Sequence, residues 1–388
     1  MARDTNTGTT LKGISRRQFL AATGTASTVT IAGCLSGSGG GGGNGSGSSN
    51  GNGSTSSSVP SKPDKLTVRA WGGSWQKSLK NAVAKPFTNK TGIDIGFDNS
   101  SEEVMQGKIR TALRQDRTPP VNVNWSTTPL TYKSFQAGLM SPLDPKVVTH
   151  LSQLLPPAKP NTGDMAWPFT SLYSYVYTLS YNTNILSSSP SSWTDLWSDK
   201  WKNSIGLYQN GTGTTPVVAK LVDEKLDGDM TEVWNRYRKL KPNVGVIGDD
   251  TQLTQNLRTG EISMAALIVS NAYNVKKQGA PVDYLVPEEG AVAKRDAMWI
   301  PKNQQDKYTY WGQKFIDYAI RKENIGEWGR KLGVAPLNPN ANIPQSMAKQ
   351  TAFPTTQKQF NNLITVKPAN YVENSSYWFS QFNQIMKK

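Results

Sequence analysis

From Leu66 onward the chain alternates between strand-period and helix-period segments, and this alternation restricts it to a sheet covered by helices. Leu66-Thr67-Val68-Arg69-Ala70 alternates in the β manner and runs into Trp71-Gly72-Gly73. Ser74 then caps a helix on which Trp75, Leu79, Ala82, Val83 and Phe87 share one apolar face, and Pro86 should kink or restart it. Thr91-Gly92 stops that helix, and Ile93, Ile95 and Phe97 alternate as a second strand. Ser101 with Glu102 and Glu103 opens a second helix, its acids at the positive end of the dipole. Val121 to Trp125 forms a third strand, followed by a polar loop from Ser126 to Pro129 and a helix that ends at Gly138. The order β, α, β, α, β predicts an α/β fold with a mainly parallel sheet covered on both faces.

The middle of the chain has a different texture. Tyr173, Tyr175, Tyr177 and Tyr181 stand at even spacing on a β-prone segment and so point to one face. Trp193 to Trp197 starts a short helix, and Ile205-Gly206-Leu207 reads as a strand. A Gly/Thr loop, Asn210 to Pro216, opens a helix through Val217, Val218 and Leu221; its amides and hydroxyls suit a polar ligand as well as a plain cap. Helix and strand follow at Leu253 to Leu257 and Gly260 to Leu267, then helix from about 305 to 333 and an irregular, Pro/Asn-rich end.

Ahead of this body lies a segment of another kind. Arg16 and Arg17, inside Ser15-Arg16-Arg17-Gln18-Phe19-Leu20, precede a weakly apolar Ala/Thr stretch, in the manner of a twin-arginine export signal. Thr30-Ile31-Ala32-Gly33-Cys34 looks like a lipoprotein processing site, where the Cys34 thiol takes a lipid and becomes the mature N-terminus. Residues 35 to 58 contain only Leu, Ser, Gly, Asn and Thr, a composition that reads as a coil with a reach of roughly 25–30 Å. The expected order is signal (1–33), lipidated Cys34 with tether (34–63), then body, exported and held at the outer face of the cytoplasmic membrane by lipid alone.

Composition removes several chemistries. With one Cys and one His in 388 residues, there is no disulfide framework, no ordinary zinc site and no credible Ser-His-Asp triad. Neither a metal nor a cofactor is expected. The net charge of +15 is spread singly, as at Lys77, Lys80, Lys85 and Lys90, without the clustering and aromatic interleaving of a nucleic-acid binder. Acids remain the one catalytic set available, so the rival reading is a surface polysaccharide hydrolase, for which Glu288-Glu289 or Asp249-Asp250 would have to face each other across a cleft; adjacent residues on one strand point to opposite faces, which argues against it. A sugar-binding protein and a pure adhesion module are further alternatives.

Four groups of residues carry a resemblance. They are Trp71-Gly72-Gly73 with Pro86-Phe87 and Lys90-Thr91-Gly92-Ile93; Gly138-Leu139-Met140-Ser141-Pro142-Leu143-Asp144; Ser192-Trp193-Thr194-Asp195-Leu196-Trp197; and Val286-Pro287-Glu288-Glu289-Gly290-Ala291 with Asp296 and Ile300-Pro301. In this order, from about residue 65 to 340, they resemble the extracellular solute-binding proteins of ABC importers, and within these the spermidine/putrescine type. The resemblance implies a two-lobed periplasmic-binding-protein fold of type II, with a hinge and an interlobe ligand cleft. It further implies a monomer that binds a small solute, acts without catalysis and hands its cargo to the membrane subunits of a permease. The expected lobes are 64–172 plus 270–312 and 173–269 plus 313–388.

By position, the resemblance places ligand contacts on Trp71, Gly72 and Gly73, on Trp125 and Ser126, and on Tyr173 and Tyr175. It adds the loop Gly211, Thr212, Gly213 and Thr214, then Ser270, Asn271 and Tyr273, and finally Asp296. Where the polyamine binders carry acids at the start of the second-lobe helix, this chain has the neutral loop Asn210 to Thr215, which leaves Asp296 as the one acid in the expected pocket. The expected ligand is therefore open between a polyamine and a neutral, zwitterionic or anionic small solute.

Overall fold

The structure is a computed structural model that describes residues 59–160, 162 and 167–387. The export motif at Arg16 and Arg17, Cys34 and nearly all of the tether lie outside the described residues.

Eleven strands form one curled sheet: β1 Lys65–Arg69, β2 Asp94–Asp98, β3 Val123–Thr127, β4 Met140–Ser141, β5 Thr170–Asn182, β6 Ile205–Tyr208, β7 Val244–Gly248, β8 Met264–Ile268, β9 Val282–Leu285, β10 Val292–Pro301 and β11 Ala335–Pro336. The main order is β2-β1-β3-β10-β5-β8-β6-β7. Its outer thirds are parallel, β2-β1-β3 on one side and β8-β6-β7 on the other. The centre is not. β10 runs antiparallel to both β3 and β5, and β5 runs antiparallel to β8. The expectation of a mainly parallel sheet holds for each third and fails between them, because there the chain crosses directly on long strands instead of returning through a helix.

Local signals explain the flanks. Gly92 closes the first helical segment in the left-handed region, its N–H donating to Thr88 O at 2.8 Å. The kink expected at Pro86 is a wide turn over Lys80–Ala84, after which helix restarts at Lys85 with the proline in its first turn. Ser101 accepts from the Val104 N–H and starts the helix Glu102–Arg114. His150, the single histidine, is held by buried Asp317 at 2.8 Å, a link between loop and helix.

The end of the chain is helical where an irregular segment was expected: the longest helix of the described residues is Pro368–Met386. Asn and Ser dilute its helical propensity, but Tyr371, Trp378, Phe382 and Ile385 recur near helical spacing, and packing decides. Trp378 and Phe382 are buried, Phe382 meeting Tyr237 edge-on at 5.1 Å. This helix touches Thr128–Gln136, which follows β3, and Thr231–Leu240, which precedes β7, so it links helices attached to both parallel parts of the sheet.

One aromatic cluster underlies the centre. Trp328, fully buried on Lys322–Leu332, meets Trp125 at 5.1 Å and Tyr173 at 5.2 Å, both edge-on. Removing a packed ring of this size leaves a cavity, so Trp328→Ala should cost about 3–5 kcal/mol in a urea titration. Trp328→Phe should cost much less, because the Trp328 indole N–H has no hydrogen-bond partner to lose.

Candidate functional site

A cleft of about 360 Å³ opens at the middle of the sheet, and its walls come from strand ends on both sides. Trp71 follows β1, Glu102 follows β2 and Thr127 ends β3. Opposite them, Tyr208 ends β6, Asp250 follows β7 and Ile268 ends β8. Between the two sets lie Tyr175 and Tyr177 of β5 with Lys294 and Asp296 of β10. Parallel strands expose their carboxyl ends together, which is why six separate stretches of sequence converge here. The register then builds the floor: Asp296 pairs with Tyr173, Lys294 with Tyr175 and Val292 with Tyr177. A wider mouth lined by Gly72, Gly73, Trp75, Asp249, Asp250 and Asn271 adjoins the cleft.

Three carboxylates face this space. Asp296 is 2% exposed, and its Oδ2 accepts from Tyr173 Oη at 2.7 Å and Trp71 Nε1 at 3.1 Å. Its Oδ1 is buried and completes no hydrogen bond, although the Tyr175 hydroxyl stands near enough to favour the ionised carboxylate. Burial pushes its pKa up to about 6, opposed by the donors Tyr173 and Trp71 and by the charge of Arg69. Glu102 accepts from the Thr127 N–H at 2.5 Å; burial drives it up to about 7 against the pull of Arg69. Asp250, at the start of Asp250–Thr259, is likewise raised to about 7 by burial and then by the charge of Asp249, with Asn271, Lys294 and Tyr208 opposing. Asp250 Oδ1 also lacks a partner.

Two cations balance part of this charge. Arg69 is 1% exposed, donates from Nη1 to Trp125 O at 2.6 Å and from Nε to Ser100 O at 3.1 Å, and lies 4.0 Å from the Trp71 ring centroid. It is a fixed counter-charge behind Glu102 and Asp296. Lys294 Nζ stands 5.5 Å from the Tyr177 ring and 4.8 Å from that of Tyr371. Trp75 completes the aromatic wall, 6.0 Å from Tyr175.

The residues expected at the site divide. Trp71, Tyr175, Thr212 and Asp296 line the cleft, and Gly72, Gly73 and Asn271 its mouth. Trp125 and Tyr173 lie one layer back, fully buried, with Trp125 Nε1 donating to Tyr173 Oη at 3.1 Å. Ser126 is buried against Thr131 and Trp299. Within the Gly/Thr loop, Thr214 bonds Tyr237 Oη at 2.7 Å and Gly211 faces Thr215 and Phe382. Gly213, at φ +86°, lies so close to the Tyr177 ring that any Cβ would overlap it, so this residue shapes the wall without offering a contact. Ser270 is buried beside Gly333, and Tyr273 packs on Phe353.

Tyr177, the last residue of the tyrosine stretch expected at the site, also lines the cleft, whereas Trp75, Glu102, Thr127, Tyr208, Asp250, Ile268 and Lys294 were absent from the expected set. Glu102 was fully explained by the helix dipole, and Asp250 by its place next to Asp249. Their common signal is position, each being the first residue of the helix that follows a strand. The single-acid pocket expected from the resemblance is corrected to three acids. Of the four acids considered for hydrolysis, Asp250 alone lines the cleft: Asp249 Oδ1 caps its helix, Glu289 accepts from Ser192, and Glu288 is exposed. Among the described residues no cluster of His, Cys, Asp and Glu could hold a metal.

Residues 82–355 match the family model described as bacterial extracellular solute-binding protein. The spermidine/putrescine-binding periplasmic protein of Escherichia coli is 24% identical over 301 residues, covering 73% of this chain and 82% of its own. Among solved structures, the spermidine/putrescine ABC transporter substrate-binding protein PotD of Streptococcus pneumoniae superposes with a TM-score of 0.69 at 21% identity, covering 84% of this chain and all of that one. The Atu4243-GABA receptor gives 0.70 at 17%, covering 84% and 98%. These likenesses establish the two-lobed binding-protein fold. With the family model spanning well over half of its length, the chain belongs to the bacterial extracellular solute-binding proteins.

Proposed function

We propose that the protein captures a small solute carrying an N–H ammonium group in the central cleft, by closure of two lobes, and delivers it to an ABC permease without chemical turnover. The observation that carries this reading is Asp296 Oδ1, a buried carboxylate oxygen that completes no hydrogen bond, set among Trp71, Trp75 and Tyr175. A buried acceptor left unpaired is costly, and an ammonium supplies both the missing donor and the missing charge. The aromatic wall attracts cations as well. A quaternary ammonium fits the rings but offers no N–H, so primary and secondary amines are favoured over it. The names of two relatives, a polyamine-binding protein and a GABA receptor, agree with an amine.

The hinge in this reading is the pair β5 and β10, the strands common to both halves of the sheet. One lobe then carries β1 to β4 with the helices Asp306–Ala319 and Lys322–Leu332, whose Phe315 and Trp328 pack on Phe87 and Trp125. The other carries β6 to β9, because β9 pairs with the far end of β5. This grouping moves 270–285, the second half of the helix Asp306–Ala319 and the helix Lys322–Leu332 relative to the division expected from sequence. A signal at Arg16 and Arg17 and a lipid on Cys34 would hold a monomeric body at the outer membrane face.

Calorimetry and thermal shift with a panel of primary amines, choline, sugars and carboxylic acids test the reading. Saturable stabilisation by primary amines is expected, about 2.7 kcal/mol at a hundred times Kd, with the ligand recovered unchanged. Stabilisation confined to sugars or simple anions would reject it, and product formation would reject the non-catalytic role.

A further inference from the structure

We propose that Lys294 fills the cleft's second cation position, so that the site takes a solute with one ammonium group and an anionic far end, of the ω-amino-acid class, and rejects diamines. This rests on the amine reading above and narrows it.

The charges divide along the floor. At one end Asp296 and Glu102 share the single counter-charge Arg69, which leaves room for one further cation. At the other end Lys294 makes no ion pair or hydrogen bond with Asp250, but its charge is near enough to favour the ionised form of that acid. The positive charge, though not the hydrogen bond, that a diamine would bring to the Asp250 end is therefore already present in the protein. Its surroundings resemble those of a bound amine: the Nζ stands within 5.5 Å of both the Tyr177 and the Tyr371 ring, and its charge is felt by Asp250.

Lys294 is also incompletely used. Among the described residues it forms no ion pair within 4.0 Å, and its one hydrogen bond is a long contact of 3.4 Å to Tyr371 Oη. An ammonium has three donors, so at least two remain for an incoming oxyanion. Lys294 and Asp296 are two residues apart on the same face of β10, their Cα atoms roughly 6.5 Å apart along the strand. The floor thus presents a carboxylate and an ammonium in sequence, with Tyr175 and Trp75 beside them to cover a short alkyl chain. A zwitterion laid along β10 places its ammonium at Asp296 Oδ1 and its carboxylate at Lys294. A diamine in the same pose sets like charges against each other.

Three four-carbon probes isolate the far end: 4-aminobutyrate, butylamine and putrescine, each titrated calorimetrically at pH 7.5 into the wild type, Lys294→Met and Lys294→Arg. The wild type should prefer 4-aminobutyrate to putrescine by about a hundredfold, with butylamine between them. Lys294→Met keeps the aliphatic stem and should reverse the order, while Lys294→Arg should retain it. Putrescine binding the wild type as tightly as 4-aminobutyrate overturns the inference and leaves the amine reading intact. An order unchanged in Lys294→Met also overturns it, provided that circular dichroism shows the variant folded. If none of the three probes binds any form, the amine reading itself fails.

Discussion

Asp296→Asn should abolish most amine binding while leaving the protein folded. The asparagine Oδ1 can still accept from Tyr173 and Trp71, so the hydrogen bonds that fix the floor survive and only the charge is lost. Removing one member of a buried charge pair costs about 2–5 kcal/mol, which at 1.4 kcal/mol per decade is roughly 30- to several-thousand-fold in Kd. The melting temperature of the free protein should hold or rise, because the substitution also removes a desolvated carboxylate. Calorimetry paired with a thermal scan separates the two effects. Full affinity in the variant would remove Asp296 from the site.

The second large effect is a divergence between stability and affinity as pH changes. Asp296, Glu102 and Asp250 are raised to about 6, 7 and 7, above the values of an unfolded chain. Between about pH 4 and 7 the folded form therefore holds protons that the unfolded form has released, and the stability contributed by these groups falls as pH rises. Each tenfold gain in a carboxylate's proton affinity on folding is worth about 1.4 kcal/mol at most, so the ligand-free protein should melt several degrees higher at pH 5 than at pH 8. Asp98, Asp317 and Glu327, all held low, oppose this only below about pH 4. Affinity for an ammonium runs the other way, since the cation needs the ionised acids. It should weaken about tenfold or more from pH 8 to pH 5. Parallel trends in melting temperature and affinity would show that these acids do not contact the ligand.

The parts of the fold that could be read from the chain were those governed by local rules. Apolar alternation and Gly92 set the limits of β1, β2 and the helix between them, and Ser101 started the next helix. The joint was hidden, because antiparallel pairing of β5 with β10 is a contact across more than a hundred residues with no local signature. The same distance hid Lys294: as a sequence letter it is one more scattered cation, and only its register opposite Tyr175 turns it toward the cleft. Trp125 misled in the opposite direction. It sits inside β3, near the strand end where pocket residues gather, yet Trp71 and Trp328 close over it on two sides. Glu102 illustrates a residue with two sufficient explanations, a helix start and a site wall, of which sequence exposes the first.

The terminal helix Pro368–Met386 has a mechanical corollary. If the two halves move as proposed, a rod seated against helices of both would have to slide along one of them, and so would limit how wide the cleft can gape. Tyr371 near its start touches Lys294, the residue that would feel the far end of the cargo. In that reading, occupancy of the floor and the freedom of the rod would be joined at a single phenol.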